Sequence, residues 1–134
     1  MGEKRLFALR GATQCLNSKE DIQKKVVDLY DELLSENNLA EEEIVSVFFS
    51  VTQDLDAVNP ATALRKEGRA EKTALFVNQE AYFTGSPERI IRVLTHCYMD
   101  SSRTPAHVYH NGAKILRSDF YGGQHGNRHD DLLC

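Results

Sequence analysis

The run Ile44–Val51 constrains the fold more than any other part of the chain. Apart from Ser46 and Ser50, every residue in it is β-branched or aromatic, which is typical of a strand that is apolar enough to be central in a sheet. The chain has 134 residues, the usual size of one domain. We therefore predict a single domain over residues 1–134, in which residues 118–134 form a mobile tail because apolar side chains are sparse there.

The remaining elements are predicted from hydrophobic periodicity and capping residues. Apolar residues recur at helical spacing over residues 22–36, behind a capping Ser18, and predict one long helix. A second long helix is predicted over residues 86–98, which begin with serine and proline. Further strands are expected at residues 6–9, 73–77, 108–109 and 114–116, with a short helix opened by Pro60. This order predicts an α+β domain with both long helices on one face of a mixed sheet.

Composition argues against several functional classes. The chain carries 16 basic and 20 acidic residues, a net charge of -4, whereas a nucleic-acid binder normally has a basic surplus. No apolar run approaches the roughly 20 residues that span a bilayer, and no signal-peptide core is expected. Three widely separated cysteines indicate free thiols and a cytoplasmic location. No metal site is predicted, because His125 and His129 have no third ligand nearby.

Four polar residues near the ends of elements or on exposed faces are candidates for a site. Arg10 ends the first strand directly before a glycine, Glu80 follows the third strand, and Tyr109 lies on a short strand. Arg92, at about 100° per residue, falls opposite the apolar stripe of the predicted second helix and should point away from its own core. Its destination is either solvent or a neighbouring subunit. Taken singly, none of these residues predicts a site.

The candidate residues lie in blocks of sequence that follow one another in a fixed order. The blocks are Leu9-Arg10-Gly11-Ala12-Thr13, residues 50–61 followed by Arg65, Asn78-Gln79-Glu80, Ile90-Ile91-Arg92-Val93-Leu94, and His107-Val108-Tyr109 with Leu116-Arg117-Ser118-Asp119. Together they closely resemble the trimeric, AroH-type chorismate mutases over roughly residues 5–119. Several blocks in register are a specific signal, unlike any one of them alone.

The resemblance implies a homotrimer in a pseudo-α/β-barrel arrangement, with active sites between subunits. It also implies the Claisen rearrangement of chorismate to prephenate, a step of phenylalanine and tyrosine synthesis, without a cofactor. The catalytic residues that it implies are Arg10, Glu80, Arg92 and Tyr109. The substrate-binding residues that it implies are Asn59, Thr62, Arg65, Leu75, Phe76, Val77 and Arg117.

Three positions depart from the family pattern. The family commonly has an aromatic residue where Asn59 stands, a lysine where Thr62 stands, and a polar or thiol side chain where Val77 stands. These changes bear on affinity more than on reaction type, because the matched arginines and Glu80 persist. Two other functions are weighed beside chorismate mutase: a trimeric enamine/imine deaminase, and a non-catalytic relative that binds small carboxylic acids.

Overall fold

A computed structural model describes residues 2–116 of the protein. Arg117 and the predicted tail at residues 118–134, which includes His125 and His129, lie outside the described residues. The main elements are β1 (Lys4–Gln14), α1 (Lys19–Glu36), β2 (Ile44–Val51), α2 (Pro60–Lys66), β3 (Ala74–Gln79), β4 (Ile90–Asp100) and β5 (Val108–Tyr109). Short 3₁₀ helices cover Glu41–Glu43 and Asn111–Leu116. No helix within residues 2–116 is long and apolar enough to cross a membrane.

The strands form one five-stranded mixed sheet in the order β3-β2-β4-β1-β5. β2 pairs with β3 in parallel and with β4 antiparallel, while β1 pairs antiparallel with β4 and in parallel with β5. The predicted mixed sheet is therefore confirmed, and Ile44–Val51 lies inside it with a strand on each side. The apolar composition of this run follows from that position, because an interior strand leaves little of its surface to water.

The predicted helix at residues 86–98 is wrong, because most of this segment is the strand β4. Alternate side chains from Ile91 to Met99 are buried, which is the period of a strand and not of a helix. The whole of β4 pairs with β1, and most of it also pairs with β2. The apolar residues of this segment fit both periods, so the pattern alone did not distinguish them. The prediction of two long helices on one face is corrected accordingly: α1 is the long helix, and α2 has seven residues.

The predicted strand at residues 114–116 is also wrong. These residues belong to the 3₁₀ helix Asn111–Leu116, whose first residue has a φ of 56°. Ala113 and Leu116 bury their side chains against Ala12 and Ile90. Local packing onto the end of β1 therefore replaces the strand pairing that the sequence predicted.

Helix α1 covers one face of the sheet and makes the main core with it. Ser18 caps the helix by accepting a hydrogen bond from the Asp21 N–H at 3.1 Å, which satisfies one of the amides left open at a helix start. The buried side chains of the helix are Ile22, Val26, Leu29, Tyr30 and Leu33. They pack with inward-facing residues of β1, β2 and β4, among them Leu9, Val47 and Val93.

The opposite face, here named the open face, carries large apolar side chains that residues 2–116 leave exposed to solvent. These side chains and their exposed fractions are Leu6 (49%), Phe48 (44%), Phe76 (57%) and Tyr98 (48%). Among the described residues, the 3₁₀ helix Asn111–Leu116 covers only the end of this face near Ala12 and Ile90. The open face is thus available for a ligand or for another chain.

Candidate active site

A cavity of about 520 Å³ lies at one end of the open face. Its walls come from all five strands and from the segment that follows β3. The four residues predicted as catalytic, Arg10, Glu80, Arg92 and Tyr109, all line it. Residues that are up to 99 positions apart in the chain are thereby brought to one cavity, which is of the size that holds a small metabolite.

Strand register places the two arginines in neighbouring rows across the open face. Arg92 on β4 is level with Ala12 on β1 and with Ser50 on β2. Arg10 on β1 is level with Leu94, which lies two residues after Arg92 on the same face. Because side chains alternate along a strand, Arg92 points away from α1. The expected direction of Arg92 is therefore correct, although it arises from a strand and not from the phase of a helix.

Arg92 is fixed by an ion pair with Glu80. The Nε–H of Arg92 lies 2.9 Å from both carboxylate oxygens of Glu80, and the two side chains retain only 22% and 17% of their exposure. Ser50 Oγ donates a hydrogen bond of 2.6 Å to Glu80 Oε1. The Glu80 N–H donates to the Val51 carbonyl oxygen at 2.7 Å, which holds the residue just after the end of β3. The Glu80 carboxylate thus offsets the charge of a partly buried guanidinium and orients it.

Tyr109 reaches the cavity because β5 approaches β1 closely. Gly11 pairs with Val108, and Ala12 pairs with Tyr109. A Cβ on Gly11 would lie 2.9 Å from the carbonyl oxygen of Val108, so a side chain at this position would push the two strands apart. Gly11 therefore permits the close contact between β1 and β5 that brings Tyr109 next to the strand that carries Arg10.

The residues predicted to bind substrate do not line this cavity in the same chain. Asn59 Oδ1 accepts from the N–H groups of Ala61 and Thr62 at 2.8 and 3.3 Å and so caps α2. Thr62 is exposed. The exposed Arg65 donates to the carbonyl oxygens of Thr73 and Glu71 at 2.7 and 3.2 Å.

The three predicted residues on β3 divide between the two faces of the sheet. Leu75 and Val77 are half-buried and pack against the main core. Phe76 lies on the open face, with its ring centroid 5.9 Å from that of Phe48. Arg117 lies outside the described residues. One chain therefore brings together the four predicted catalytic residues but not the predicted substrate-binding group.

Sequence reasoning missed several polar or aromatic residues that line the cavity, among them Ser50, Asn78, Gln79, Phe83 and Ser86. A signal existed for Ser50, since a hydroxyl in an otherwise apolar strand suggests a polar neighbour, and strand alternation puts it on the face of Phe48. Phe83 is 67% exposed and belongs to a turn in which its carbonyl accepts the N–H of Ser86 at 2.9 Å. The Gly85-Ser86-Pro87 sequence is a turn signal, but it was interpreted as the start of the predicted helix.

The cavity presents two guanidinium groups, a tyrosine side chain and one carboxylate beside apolar walls from Phe48 and Leu94. Guanidinium groups bind carboxylates through paired, charge-assisted hydrogen bonds. Among residues 2–116, the charged side chains that line the cavity are Arg10, Arg92 and Glu80, so this part of the lining carries a net positive charge. Such a cavity suits a small anionic molecule with an apolar body.

Comparisons with known proteins give a consistent result. The model of the family described as chorismate mutase type I matches residues 6–120. Chorismate mutase AroH of Bacillus subtilis (strain 168) is 32% identical over 113 residues, covering 83% of this chain and 89% of that protein. Chorismate mutase AroH of Thermus thermophilus is 32% identical over 122 residues, covering 87% and 99%. A solved chorismate mutase from Clostridium thermocellum superposes with a TM-score of 0.74 at 39% identity, covering 81% of this chain and 98% of its own.

Proposed function

Because the chain belongs to the chorismate mutase type I family, we propose that it binds chorismate in the cavity that contains Arg92 and converts it there to prephenate. The activity is that of an isomerase and serves aromatic amino acid biosynthesis. The observation that carries the assignment of the site is the Arg92–Glu80 pair, at 2.9 Å, in the same cavity as Arg10 and Tyr109.

The reaction explains why such a cavity needs no nucleophile. A Claisen rearrangement takes place within one molecule, so it requires no proton transfer and no covalent intermediate. A protein can accelerate it by holding the compact reactive conformer and by placing fixed charges where the transition state is polarised. As the ether bond breaks, negative charge grows on its oxygen. A cation fixed at that oxygen binds the transition state more tightly than the substrate.

Arg92 is assigned to the ether oxygen. Its Nε is occupied by Glu80 and its side chain is largely buried, so its position is defined before the substrate arrives. A preorganised charge loses little energy to reorientation during the reaction. Lysine would not serve equally, because an ammonium group lacks the planar fork that binds Glu80 on one side and the substrate on another.

Arg10, Tyr109 and Glu80 are assigned to the other polar groups of chorismate. Arg10 and Tyr109 bind a carboxylate or share the contact with the ether oxygen. Glu80 accepts a hydrogen bond from the ring hydroxyl. A carboxylate has about four acceptor positions, and the contacts with Arg92 and Ser50 leave Glu80 able to accept this further bond.

The proposed assembly is a homotrimer in a pseudo-α/β-barrel arrangement, with each site completed by a neighbouring subunit. Support comes from the exposed apolar side chains of the open face, such as Phe76 and Tyr98, since patches of this kind usually mark interfaces. The residues that one chain does not bring to its own cavity are assigned to the cavity of the next subunit. They are Asn59, Thr62, Arg65, Leu75, Phe76 and Val77, with Arg117 placed near the entrance.

The cytoplasmic location expected from cysteine usage belongs to the same proposal, and the described Cys15 and Cys97 are free thiols. The two alternative functions are not favoured. The matching family, the two curated relatives and the solved neighbour are all chorismate mutases. None of them points to an enamine/imine deaminase or to a non-catalytic carboxylate binder.

The test is a direct assay of the purified full chain with chorismate, in buffer without added metal or cofactor. We expect chorismate to be consumed and prephenate to form at a rate proportional to enzyme concentration. Tight chorismate binding without conversion would instead indicate the non-catalytic relative. Turnover of enamine or imine substrates, with chorismate left intact, would indicate the deaminase.

A further inference from the structure

The imidazole of His107 bonds to the backbone of the strand that carries Arg10. The N–H of Arg10 donates to Nδ1 of His107 at 3.0 Å, across 97 positions of sequence. His107 directly precedes β5, the strand that carries Tyr109, and it is not among the residues that line the cavity. The His107 side chain therefore links the two strands that carry Arg10 and Tyr109.

The donor in this bond is an amide, so Nδ1 of His107 must be unprotonated. A neutral imidazole has one donor and one acceptor nitrogen, and the hydrogen bond at Nδ1 leaves the proton on Nε2. The bond thus selects one tautomer of the histidine. An asparagine could reproduce it, because its side-chain oxygen is also an acceptor at a similar distance from the backbone.

The pairing of β5 with β1 is short, and contacts on either side support it: Asn37 bonds to both backbone groups of Ala106 at 2.8 and 2.9 Å, and Val108 is buried in the main core. The strand β5 consists of two residues, which pair with Gly11 and Ala12. Beyond Tyr109, the N–H of His110 donates to the carbonyl oxygen of Ala12 at 2.9 Å. The His107 bond lies at the other end, level with Arg10. Of these contacts, the His107 bond is the one that joins a side chain of the β5 segment directly to the backbone of Arg10.

We propose that His107 is a positioning residue for the isomerase reaction, acting through Arg10 and Tyr109. By accepting the Arg10 N–H, it keeps β1 and β5 in a fixed relative position and sets the spacing of the guanidinium and the phenol across the cavity. This inference rests on the proposed function for its kinetic consequences. Its structural basis is the hydrogen bond itself.

The first experiment compares His107→Ala with His107→Asn in the full chain. We expect His107→Ala to lower kcat/KM by roughly tenfold or more, since displacements of about 1 Å at such sites have large kinetic effects. His107→Asn should stay within about threefold of the parent because it restores the acceptor. The control is His110→Ala, which removes a 3.0 Å contact with Glu32 at the surface but keeps the backbone bond to Ala12; its kinetics should match the parent.

The second experiment tests whether His107 acts through Arg10. His107→Ala is combined with Arg10→Ala, and turnover is measured at raised enzyme concentration. If the histidine serves in part to place the arginine, its loss should cost clearly less in the Arg10→Ala background than in the parent. Losses that multiply fully would overturn the inference, as would His107→Ala with parental kcat and KM, or a His107→Asn variant as impaired as His107→Ala.

A third measurement does not depend on activity. Hydrogen exchange of the Arg10 amide should be slow in the parent and in His107→Asn, and faster in His107→Ala, while amides in the middle of β4 stay protected. Equal exchange in all three proteins would refute the hydrogen bond. A parent that fails to convert chorismate but shows the expected exchange would refute the function and leave the structural link intact.

Discussion

At the scale of single residues, the geometry of the site depends on the hydrogen bonds of the Glu80 carboxylate. Glu80 receives the Nε–H of Arg92 and the hydroxyl of Ser50 while its own N–H is bound by Val51. The side chain of Glu80 is therefore held by residues of two neighbouring strands, β2 and β4. Hydrogen bonds to a charged group are stronger than those between neutral groups, so each of these contacts restricts the direction in which Arg92 can point.

Replacing Arg92 by lysine tests the central charge. Lysine keeps the positive charge but loses Nε and the planar fork. We expect kcat/KM to fall by roughly 100-fold or more, in the range found when a preorganised donor is removed from a transition state. Circular dichroism and oligomeric state should be unchanged. Arg5→Lys is the control, since Arg5 is exposed and stacks over the Phe7 ring at 4.3 Å. If Arg5→Lys lowered kcat/KM by the same factor, the effect would not be specific to Arg92.

Replacing Ser50 by alanine tests the support of Glu80. The change removes the 2.6 Å donor to Glu80 and leaves Arg92 as it is. We expect kcat/KM to decrease by about three- to tenfold, since the loss of one ordinary hydrogen bond costs about 1 kcal/mol. The matched control is Ser46→Ala on the same strand and face, where the hydroxyl contacts His96 at 3.2 Å. Equal kinetic effects of the two alanines would show that Ser50 has no part in positioning Glu80.

At the scale of elements, a few neighbouring residues determine how β1 packs against β5 and how α1 begins. Gly11 allows β5 to lie against β1, as its missing side chain leaves room for the Val108 carbonyl. At α1, Ser18 accepts the Asp21 N–H, and the Asp21 carboxylate accepts the Leu16 N–H at 2.6 Å. This reciprocal arrangement closes the first turn of the helix onto the preceding loop.

Gly11→Ala should disturb both stability and activity. The new methyl group would lie 2.9 Å from Val108 O, 3.0 Å from Val93 Cγ1 and 3.2 Å from Leu29 Cδ1, so β5 has to move. We expect a loss of about 1–3 kcal/mol in the free energy of unfolding, as for other overpacked sites, and a drop in kcat because Tyr109 moves with β5. Urea unfolding and the chorismate assay measure the two effects. If the free energy of unfolding and kcat of the variant both matched those of the parent, this prediction would be wrong.

Asp21→Asn should make the stability of the protein less dependent on pH. The Leu16 N–H, followed by the Lys25 ammonium, lowers the pKa of the Asp21 carboxyl. The folded protein therefore holds the charged form to lower pH than the unfolded chain does, and the stabilisation is present above the unfolded pKa of about 4. It is lost as pH falls through the folded pKa.

The variant should accordingly be less stable than the parent by about 1–2 kcal/mol near pH 7, the usual value of a hydrogen bond to a charged group. The difference should shrink as the pH is lowered below about 4. Urea unfolding at several pH values measures it. Asp28→Asn is the control, since its pair with Lys24 is largely exposed and contributes little. A difference that stays constant with pH would contradict the assignment to Asp21.

At the scale of the whole molecule, the two faces of the sheet differ in their exposure to solvent. One is buried under α1, while the other keeps Leu6, Phe48, Phe76 and Tyr98 exposed within the described residues. The candidate site lies at one end of this open face. If subunits associate through it, binding of a neighbour and completion of the site are the same event.

Tyr98→Glu tests that link between assembly and activity. Tyr98 lies on the open face, level with Leu6 and two rows beyond the row that contains Arg10, and it does not line the cavity. A buried carboxylate at an interface is costly, so we expect the trimer to dissociate on light scattering and turnover to fall steeply on dilution. Leu16→Glu, at a side chain that is 62% exposed outside the sheet, should leave both unchanged. A fully active monomer would refute the intersubunit site.

Local sequence was sufficient where one short segment carries its own structural signal. The apolar periodicity that follows Ser18 predicted α1, and the composition of Ile44–Val51 predicted an interior strand. Both signals lie within one short segment, because the spacing of apolar residues along it indicates which side chains are buried. The resemblance to a known family likewise pointed to Arg10, Glu80, Arg92 and Tyr109. The same resemblance implied the function, and the residue types are consistent with it, since arginines and a carboxylate suit a reaction that needs fixed charges.

Tertiary structure decided what depends on distant partners. The apolar residues of β4 fit a helix as well as a strand, and only pairing with β1 and β2 selects the strand. The same pairing sets Arg92 level with Ser50 and so brings both to Glu80, a contact that no local period encodes. Hydrogen bonds between strands join residues far apart in the chain, whereas a helix bonds within itself. The sequence by itself determined the chemical groups at the site, and the register of the sheet determined which of them meet.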